Sequence, residues 1–112
     1  MKPEKVIRDG LVAALYSPGY GAGWSTWNHD EELCEFLLFD QALVEMKERG
    51  ATEEEVKDFL TSIGANENQY IATGGWDDVE IYWVEEGQSF RVTEYDGFEG
   101  IKFYDPSDYY EA

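Results

Sequence analysis

The hydrophobic pattern of this 112-residue chain changes its period at Gly64, and this change constrains the fold more than any other feature. Between Asn28 and Gly64, apolar residues recur at the three- and four-residue spacing of an amphipathic helix. After Gly64 they alternate with polar residues, as in strands with one buried face. Helical and strand segments in separate blocks are typical of the α+β class. We therefore predict an α+β domain with two or three helices on one face of a mainly antiparallel sheet.

The helical block contains its own start and stop signals. Asn28 or Asp30 can serve as the N-cap of the first helix, and Asp40 interrupts its apolar stripe, so we expect a kink or a restart there. Thr52 and Glu55 have the spacing of a capping box and predict the start of a further helix.

Four strands are expected. The run 11–16 is apolar throughout and predicts a strand buried on both faces. Asp9-Gly10, just before it, predicts a tight hairpin turn. Three later alternating runs, at 79–83, 90–93 and 101–104, predict an antiparallel meander. The resulting four-stranded sheet would hold the N-terminal strand at its centre or beside the last strand.

The formal net charge of −17 is the most unusual property of the composition. Residues 65–112 contain two basic and twelve acidic residues and therefore carry −10 of it. A field of this sign repels nucleic acid and anionic membranes and attracts basic protein surfaces. We therefore expect neither direct nucleic-acid binding nor a membrane partner. The alternative is that the acidity serves solubility alone.

The length suits one domain with one core. We predict a single domain over 1–112, with 1–9 and 105–112 as its most flexible ends and Tyr109 and Tyr110 ordering part of the second. The charged start is not followed by a signal-peptide pattern, and Cys34 is the single cysteine, so no intrachain disulfide is possible. These features favour the cytoplasm.

Two glycine-rich segments that each lead to a tryptophan, 17–28 and 73–76, are the candidate ligand-binding loops. The first loop has no phosphate-loop motif, and no lysine or arginine lies between Gly10 and Met46. If the loops meet, they would form an aromatic-walled pocket for a planar ligand or a peptide. The alternative is two separate turns whose tryptophans fill the core. The candidate residues are Tyr16, Ser17, Tyr20, Gly21, Gly23, Trp24, Trp27, Thr73, Gly74 and Trp76.

Acidic residues spaced two apart form a third candidate. On a strand, such residues lie on one face about 6.6 Å apart. Rows of this kind imitate successive phosphates and fit a basic groove, whereas the alternative is an ordinary solvated sheet face. The candidate partner surface consists of Asp77, Asp78, Glu80, Glu94, Asp96 and Glu99.

The chain offers little for catalysis. His29 is the only histidine, and Cys34 lies within an apolar helix stripe, where a packed thiol is expected. No serine has a nucleophile-elbow context. Acidic groups at 77–80 and 105–111 do not match a calcium-binding EF-hand loop. We therefore predict no enzyme, no cofactor and no metal site.

The stretch from Leu15 to Trp24, LYSPGYGAGW, resembles a segment of small uncharacterised proteins of tailed bacteriophages. The Tyr- and Glu-rich region from Asp78 to Tyr95 adds to this likeness. The resemblance covers most of the chain and carries no functional residue. It implies a phage or prophage protein in the cytoplasm of a bacterial host. Small acidic phage proteins of this kind include inhibitors of host defence, some of which mimic DNA while others sequester nucleotide signals.

The leading hypothesis is a non-catalytic inhibitor that binds the basic surface of a host defence protein. The second is a small-molecule or nucleotide-signal binder that uses Tyr20, Trp24, Trp27 and Trp76. A virion or housekeeping interaction module and a carboxylate enzyme are the further alternatives. The sequence leaves the oligomeric state open, including a homo-oligomer.

Overall fold

The computed structural model describes residues 1–67, 69–103 and 110–112 and has the predicted α+β class. Three helices follow the first two strands. Short 3-10 turns at Ser25–Trp27 and Trp76–Asp78 flank the helical block. The elements in chain order are β1 (Ile7–Arg8), β2 (Leu11–Tyr16), α1 (Glu31–Phe39), α2 (Gln41–Glu48), α3 (Glu53–Ser62), β3 (Glu80–Glu85), β4 (Ser89–Tyr95), β5 (Phe98–Lys102) and β6 (Tyr110–Glu111).

The described strands form two three-stranded antiparallel sheets, so the predicted single four-stranded sheet is wrong. The first sheet has the order β1-β2-β3 and the second β5-β4-β6. The predicted meander divides between them, because β3 and β4 belong to different sheets and only the β4–β5 hairpin forms. The N-terminal strand β2 lies between β1 and β3, so of the two positions that we expected it takes the central one, in a three-stranded sheet. It pairs with β3, the first strand of the predicted meander, and not with the last.

The burial of β2 on both faces explains why two sheets form. Ala13 and Leu15 belong to a core shared with the three helices, whereas Val12 and Ala14 belong to a second core. This second core includes Phe90 of β4 and the end of α1. Since alternate residues of a strand point to opposite faces, β2 needs a covering layer on each side. The helices cover the face with Ala13 and Leu15, and the second sheet covers the face with Val12 and Ala14.

Both tight hairpins use the same turn geometry. Asp9 and Gly10 join β1 to β2 with φ values of 53° and 76°, which confirms the predicted turn. Asp96 and Gly97 join β4 to β5 with φ values of 55° and 84°. Positive φ at both central residues matches the twist of the strands that such a turn connects. The β4–β5 hairpin therefore ends in a tip of fixed conformation.

The predicted restart at Asp40 is confirmed. Asp40 ends α1 and is the N-cap of α2, with an extended backbone. Its carboxylate accepts the N–H of Ala42 at 3.0 Å and that of Glu4 at 3.2 Å. Asp40 therefore breaks the helix and attaches the N-terminal segment to the break.

The other predicted helix starts are also present. The Asp30 side chain accepts the N–H of Leu33 at 2.9 Å, which selects Asp30 over Asn28 as the N-cap of α1. Thr52 and Glu55 form the capping box of α3. Each cap satisfies N–H groups that have no partner within the helix. These local signals position the helical layer against β2.

The end of the chain is described only in part. Residues 105–109 of the predicted tail lie outside the described residues. Tyr110 pairs with Phe90 in β6–β4 and packs edge-on against Phe39. Its burial raises the pKa of the Tyr110 hydroxyl to about 12. Within the described ranges, no helix has the length and apolar character needed to cross a membrane.

Candidate functional site

The two glycine-tryptophan loops, 17–28 and 73–76, meet backbone against backbone. A Cβ atom on Gly75 would lie 2.5 Å from the carbonyl oxygen of Gly23 and 2.9 Å from that of Ala22. Only a glycine permits this approach. The exposed Gly74 lies beside the same contact, because its Cβ position would be 3.5 Å from the Ala22 methyl group. The loops converge without leaving open space at this contact.

Trp24 and Trp76 point from these loops into the core. Both are 0% exposed, and their rings pack against each other with centroids 5.4 Å apart. The Trp24 indole N–H donates to the carbonyl of Leu37 at 2.7 Å, and that of Trp76 donates to Ala51 at 2.8 Å. Because both polar groups are satisfied internally, these indoles act as core residues in this conformation. A ligand would reach them only after the loops separate.

The most unusual site in the structure is the buried carboxylate of Glu99. Its side chain is fully buried and accepts four hydrogen bonds from the loop 17–28. Oε1 accepts the Ser17 N–H at 2.8 Å, and Oε2 accepts the Trp24 N–H at 2.8 Å. Oε2 also accepts the N–H of Thr26 at 3.1 Å and its hydroxyl at 2.5 Å. Glu99 therefore attaches the loop to the β4–β5 hairpin.

Glu99 is a correction to the predicted acidic surface, because it lies inside the molecule. Its cross-strand partner is Glu94, and it shares a strand face with Ile101, which packs on the second core. The sequence contained one signal of this burial: Glu99 is two residues before Ile101, so an inward-facing Ile101 predicts an inward-facing Glu99. An acidic residue at an inward-facing position needs buried donors. The loop N–H groups that supply them are distant in sequence, so the pattern gave no indication of them.

The remaining acidic candidates are exposed but do not form the predicted rows. Asp77 and Asp78 lie in a 3-10 turn, and β3 begins only at Glu80. Glu94 lies on β4, whereas Asp96 lies in the hairpin turn. The two pairs spaced two residues apart, Asp78 with Glu80 and Glu94 with Asp96, therefore do not have both members on one strand. They lack the alternating strand geometry that would imitate successive phosphates.

Glu94 has a local structural role in addition to its exposure. Its Oε2 accepts the backbone N–H of Gly97 at 2.8 Å and the indole N–H of Trp27 at 3.0 Å. These two hydrogen bonds hold the pKa of Glu94 below its ordinary value of 4.5. The half-exposed Trp27 is thereby fixed beside the hairpin tip, outside the core that Trp24 occupies.

Exposed aromatic side chains gather at this tip. Tyr95 and Phe98 are the cross-strand pair that flanks the turn, and Tyr20 packs on Phe98 with ring centroids 5.0 Å apart. The exposed fractions are 71% for Tyr20, 74% for Tyr95 and 39% for Phe98. The backbone N–H of Gly21 donates to the carbonyl of Asp96 at 2.9 Å. We call Tyr20, Tyr95 and Phe98 the aromatic tip.

The other predicted ligand residues have separate structural contacts. Tyr16 packs edge-on against Tyr82, and burial raises the pKa of the Tyr16 hydroxyl. The buried Ser17 hydroxyl donates to the carbonyl of Ala22 at 3.1 Å. The buried Thr73 hydroxyl donates to Glu53 at 2.7 Å.

A cavity that the sequence did not predict lies between α3 and the described residues 66, 69–71 and 73. Its volume is about 330 Å³. Of the ten ligand candidates, only Thr73 lines it. Leu60 and Ile71 contribute apolar surface, and the polar or aromatic lining includes Lys57, Asn66, Gln69 and Tyr70. A volume of this size is at the lower end of small-molecule sites.

Cys34 is packed as predicted. The buried Cys34 Sγ lies 3.2 Å from the carbonyl oxygens of both Ser25 and Asn28, which share its single S–H donor. Burial raises the pKa of Cys34, so the thiol form is favoured over the nucleophilic thiolate. Among the described residues, no group of three or more histidine, cysteine or acidic side chains is arranged to hold a metal ion.

Comparison with protein-family models, with curated proteins and with solved structures finds no match for this chain. Functional inference therefore depends on the geometry and charge of the molecule itself.

Proposed function

We propose that this chain is a non-catalytic acidic binding protein whose partner is a protein with a basic surface. The observation that carries the proposal is the excess of solvent-facing carboxylates over basic side chains. At least five of the eight basic residues also contact carboxylates, backbone carbonyls or aromatic rings of the same chain. The resulting negative field favours encounter with positive protein surfaces.

Three of the basic side chains pack on aromatic rings. Lys5 lies 4.8 Å from the centroid of Phe39, and Arg8 lies 5.4 Å from that of Trp83. Lys47 lies 4.8 Å from the Trp76 ring centroid. Lys5 and Lys47 also donate to backbone carbonyls at 2.6 and 2.7 Å. These cations thus stabilise the fold.

Three basic side chains form salt bridges with carboxylates. Arg8 binds both oxygens of Glu48, at 2.6 and 2.9 Å. Arg49 lies 2.9 Å from Glu55, and the ammonium of Lys57 lies 3.6 Å from Glu53. Of the described acidic residues, only Asp40 and Glu99 are buried, and none of the described basic residues is buried. Most of the 25 acidic residues therefore contribute to an outward field that the 8 bases cannot neutralise.

The finer proposal concerns biological role. We propose an inhibitor of phage or prophage origin that covers the basic surface of a host defence protein in the bacterial cytoplasm. Support comes from the resemblance of the segment 15–24 to phage proteins and from the net charge of −17. The exposed Asp77, Asp78 and Glu80, together with Glu94 and Asp96, belong to the proposed contact surface.

The test is capture of a bacterial protein by the immobilised chain. We expect a basic partner to be retained at about 0.05 M salt and released at about 0.5 M, because salt screens interactions between exposed charges. The variant Asp77→Asn, Asp78→Asn, Glu80→Gln should retain less of it. The variant Glu45→Gln, Glu54→Gln, Asp58→Asn, which removes the same charge from exposed helix positions, is the control. Retention that is independent of salt would contradict the proposal.

The cavity beside α3 supports a second candidate function, the binding of a small molecule. Its amide side chains, Asn66 and Gln69, and the exposed Tyr70 suit a planar hydrogen-bonding ligand such as a nucleotide base. Thermal-shift measurements with a panel of nucleotides test this function. A rise in melting temperature that Asn66→Ala removes would support it. No shift with any nucleotide at millimolar concentration would exclude this ligand class.

A further inference from the structure

We infer that the aromatic tip is a docking platform for arginine side chains of the partner. This inference rests on the proposed function and adds to it the point of anchorage and the kind of residue that is bound. The negative field of the whole chain explains attraction to a basic protein, but it does not discriminate arginine from lysine. The exposed rings of the aromatic tip can discriminate between them, because a guanidinium group stacks on aromatic rings.

The arrangement of the three rings is the first argument. Tyr95 and Phe98 occupy directly paired positions on β4 and β5, so their side chains project from one face of the hairpin. Tyr20 reaches the same place from the loop 17–28 and contacts Phe98. Two of these rings are more than two-thirds exposed. Exposed, clustered aromatic side chains are typical of the energetic centres of protein interfaces.

The rigidity of the tip is the second argument. A Cβ atom on Gly97 would lie 2.5 Å from the backbone nitrogen of Ala22, so the turn and the loop are in direct contact. The Gly21 N–H donates across this contact to the carbonyl of Asp96. The buried Glu99 carboxylate accepts four more hydrogen bonds from the same loop. Fixing the loop 17–28 through a buried carboxylate is costly for stability alone. It does, however, reduce the entropy that the rings lose on binding.

The charge around the rings is the third argument. Asp96 lies in the turn between Tyr95 and Gly97, and the Glu94 carboxylate reaches the same turn, where its Oε2 accepts the Gly97 N–H at 2.8 Å. Asp78 lies against Gly19, the residue before Tyr20. On the hairpin, the nearest bases are the cross-strand pair Arg91 and Lys102, four residue pairs from the tip. At about 3.3 Å per residue, this places them roughly 13 Å away.

Aromatic faces bordered by carboxylates fit arginine better than lysine. The guanidinium group is planar, stacks on aromatic rings and binds a carboxylate with two parallel hydrogen bonds. The ammonium group of lysine is more strongly hydrated and binds as a point charge. The aromatic tip therefore favours a partner surface that presents arginine residues.

Two synthetic peptides of equal charge, one with eight arginines and one with eight lysines separated by glycines, provide the test. We expect the whole chain to bind the arginine peptide about five- to tenfold more tightly at physiological salt, from two stacking contacts. The double variant Tyr20→Ala, Tyr95→Ala should reduce this preference to about twofold or less. Phe103→Ala, which removes a ring of the same 39% exposed fraction as Phe98 but lies outside the aromatic tip, should leave it unchanged. Nuclear magnetic resonance of the unaltered chain should show the largest shifts at Tyr20, Tyr95 and Phe98.

The outcomes separate the inference from the proposed function. Equal binding of both peptides, or an arginine preference that survives in the double variant, would overturn the inference that the aromatic tip binds arginine. The proposal of an acidic binding protein would still stand. Failure of both peptides to bind at low salt would overturn both. Circular dichroism and thermal melting of the double variant check that the fold is retained, and the resonance shifts of the unaltered chain decide the question if it is not.

Discussion

Two junctions in this molecule are each held by a buried carboxylate, Asp40 between α1 and α2 and Glu99 between the β4–β5 hairpin and the loop 17–28. Both accept backbone N–H groups, and neither forms a salt bridge with a described residue. They differ in reach. One partner of Asp40 is two residues away and the other is Glu4, whereas every partner of Glu99 lies more than 70 residues away. The comparison shows that one chemical device serves local helix capping and long-range loop attachment.

The largest expected effect is at Glu99. Glu99→Ala would leave three backbone N–H groups and a hydroxyl without their acceptor in a buried site, so we expect a loss of about 3–5 kcal/mol in the free energy of unfolding. Urea denaturation measures it. Glu99→Gln keeps the shape but offers one acceptor oxygen, and it should lose less. Hydrogen exchange should then increase in residues 17–28 before the rest of the chain. A loss below about 1 kcal/mol in Glu99→Ala would contradict the central role of this carboxylate.

The contact between the hairpin turn and the loop gives the next largest effect. Gly97→Ala places a methyl group 2.5 Å from the backbone of Ala22 at a φ of +84°. We expect a loss of about 2–4 kcal/mol, because a positive φ is strained for alanine and the backbone cannot move aside cheaply. Gly87→Ala is the matched control, since its φ is +85° and its Cβ position is open. Equal losses in the two variants would show that the loop does not press on the turn.

Asp40 should be less sensitive than Glu99. Asp40→Ala removes the N-cap of α2 and the acceptor of the Glu4 N–H, for an expected loss of about 1–2 kcal/mol. Asp40→Asn should lose less, because asparagine is also a good N-cap. Denaturation of both variants beside Glu99→Ala tests the comparison directly. If Asp40→Ala costs more than Glu99→Ala, the helix junction is the more important of the two.

The smallest effect concerns Glu94, the exposed neighbour of Glu99. Its hydrogen bonds to Gly97 and Trp27 lower its pKa, so their stabilising contribution is present above the ordinary value of 4.5 and is lost as pH falls through the lower value of the folded state. The indole N–H resonance of Trp27 should therefore move as the solution is acidified below pH 4.5. Glu94→Gln is the control and should abolish this movement. A Trp27 resonance that titrates equally in the variant would refute the assignment.

The local parts of the fold were predictable. Asp30, Asp40 and the Thr52–Glu55 pair act on N–H groups within three residues, and Asp9-Gly10 sets its own turn. Such signals need no knowledge of distant residues. The burial of β2 on both faces was equally visible, because its six residues contain no charged group.

The division into two sheets was not predictable by the same means. The alternation in β3, β4 and β5 is compatible with one meander or with two sheets. It shows that one face of each strand is more buried than the other, but it does not show which strands pair with each other. The choice between them depends on which strand lies beside β2. That choice is made by the packing of Val12 and Ala14 on the second core.

The candidate site divides in the same way. The loops 17–28 and 73–76 were found from their glycines and aromatics, but whether their tryptophans face a ligand or the core depends on the acceptors that Leu37 and Ala51 supply. The sequence by itself determined the α+β class, the helix caps, the first hairpin and the excess of negative charge. Only the tertiary structure decided that Glu99 is buried while Tyr20, Tyr95 and Phe98 are exposed together. The physical reason is that burial and hydrogen bonding of these groups depend on chain segments that are distant in sequence and adjacent only after folding.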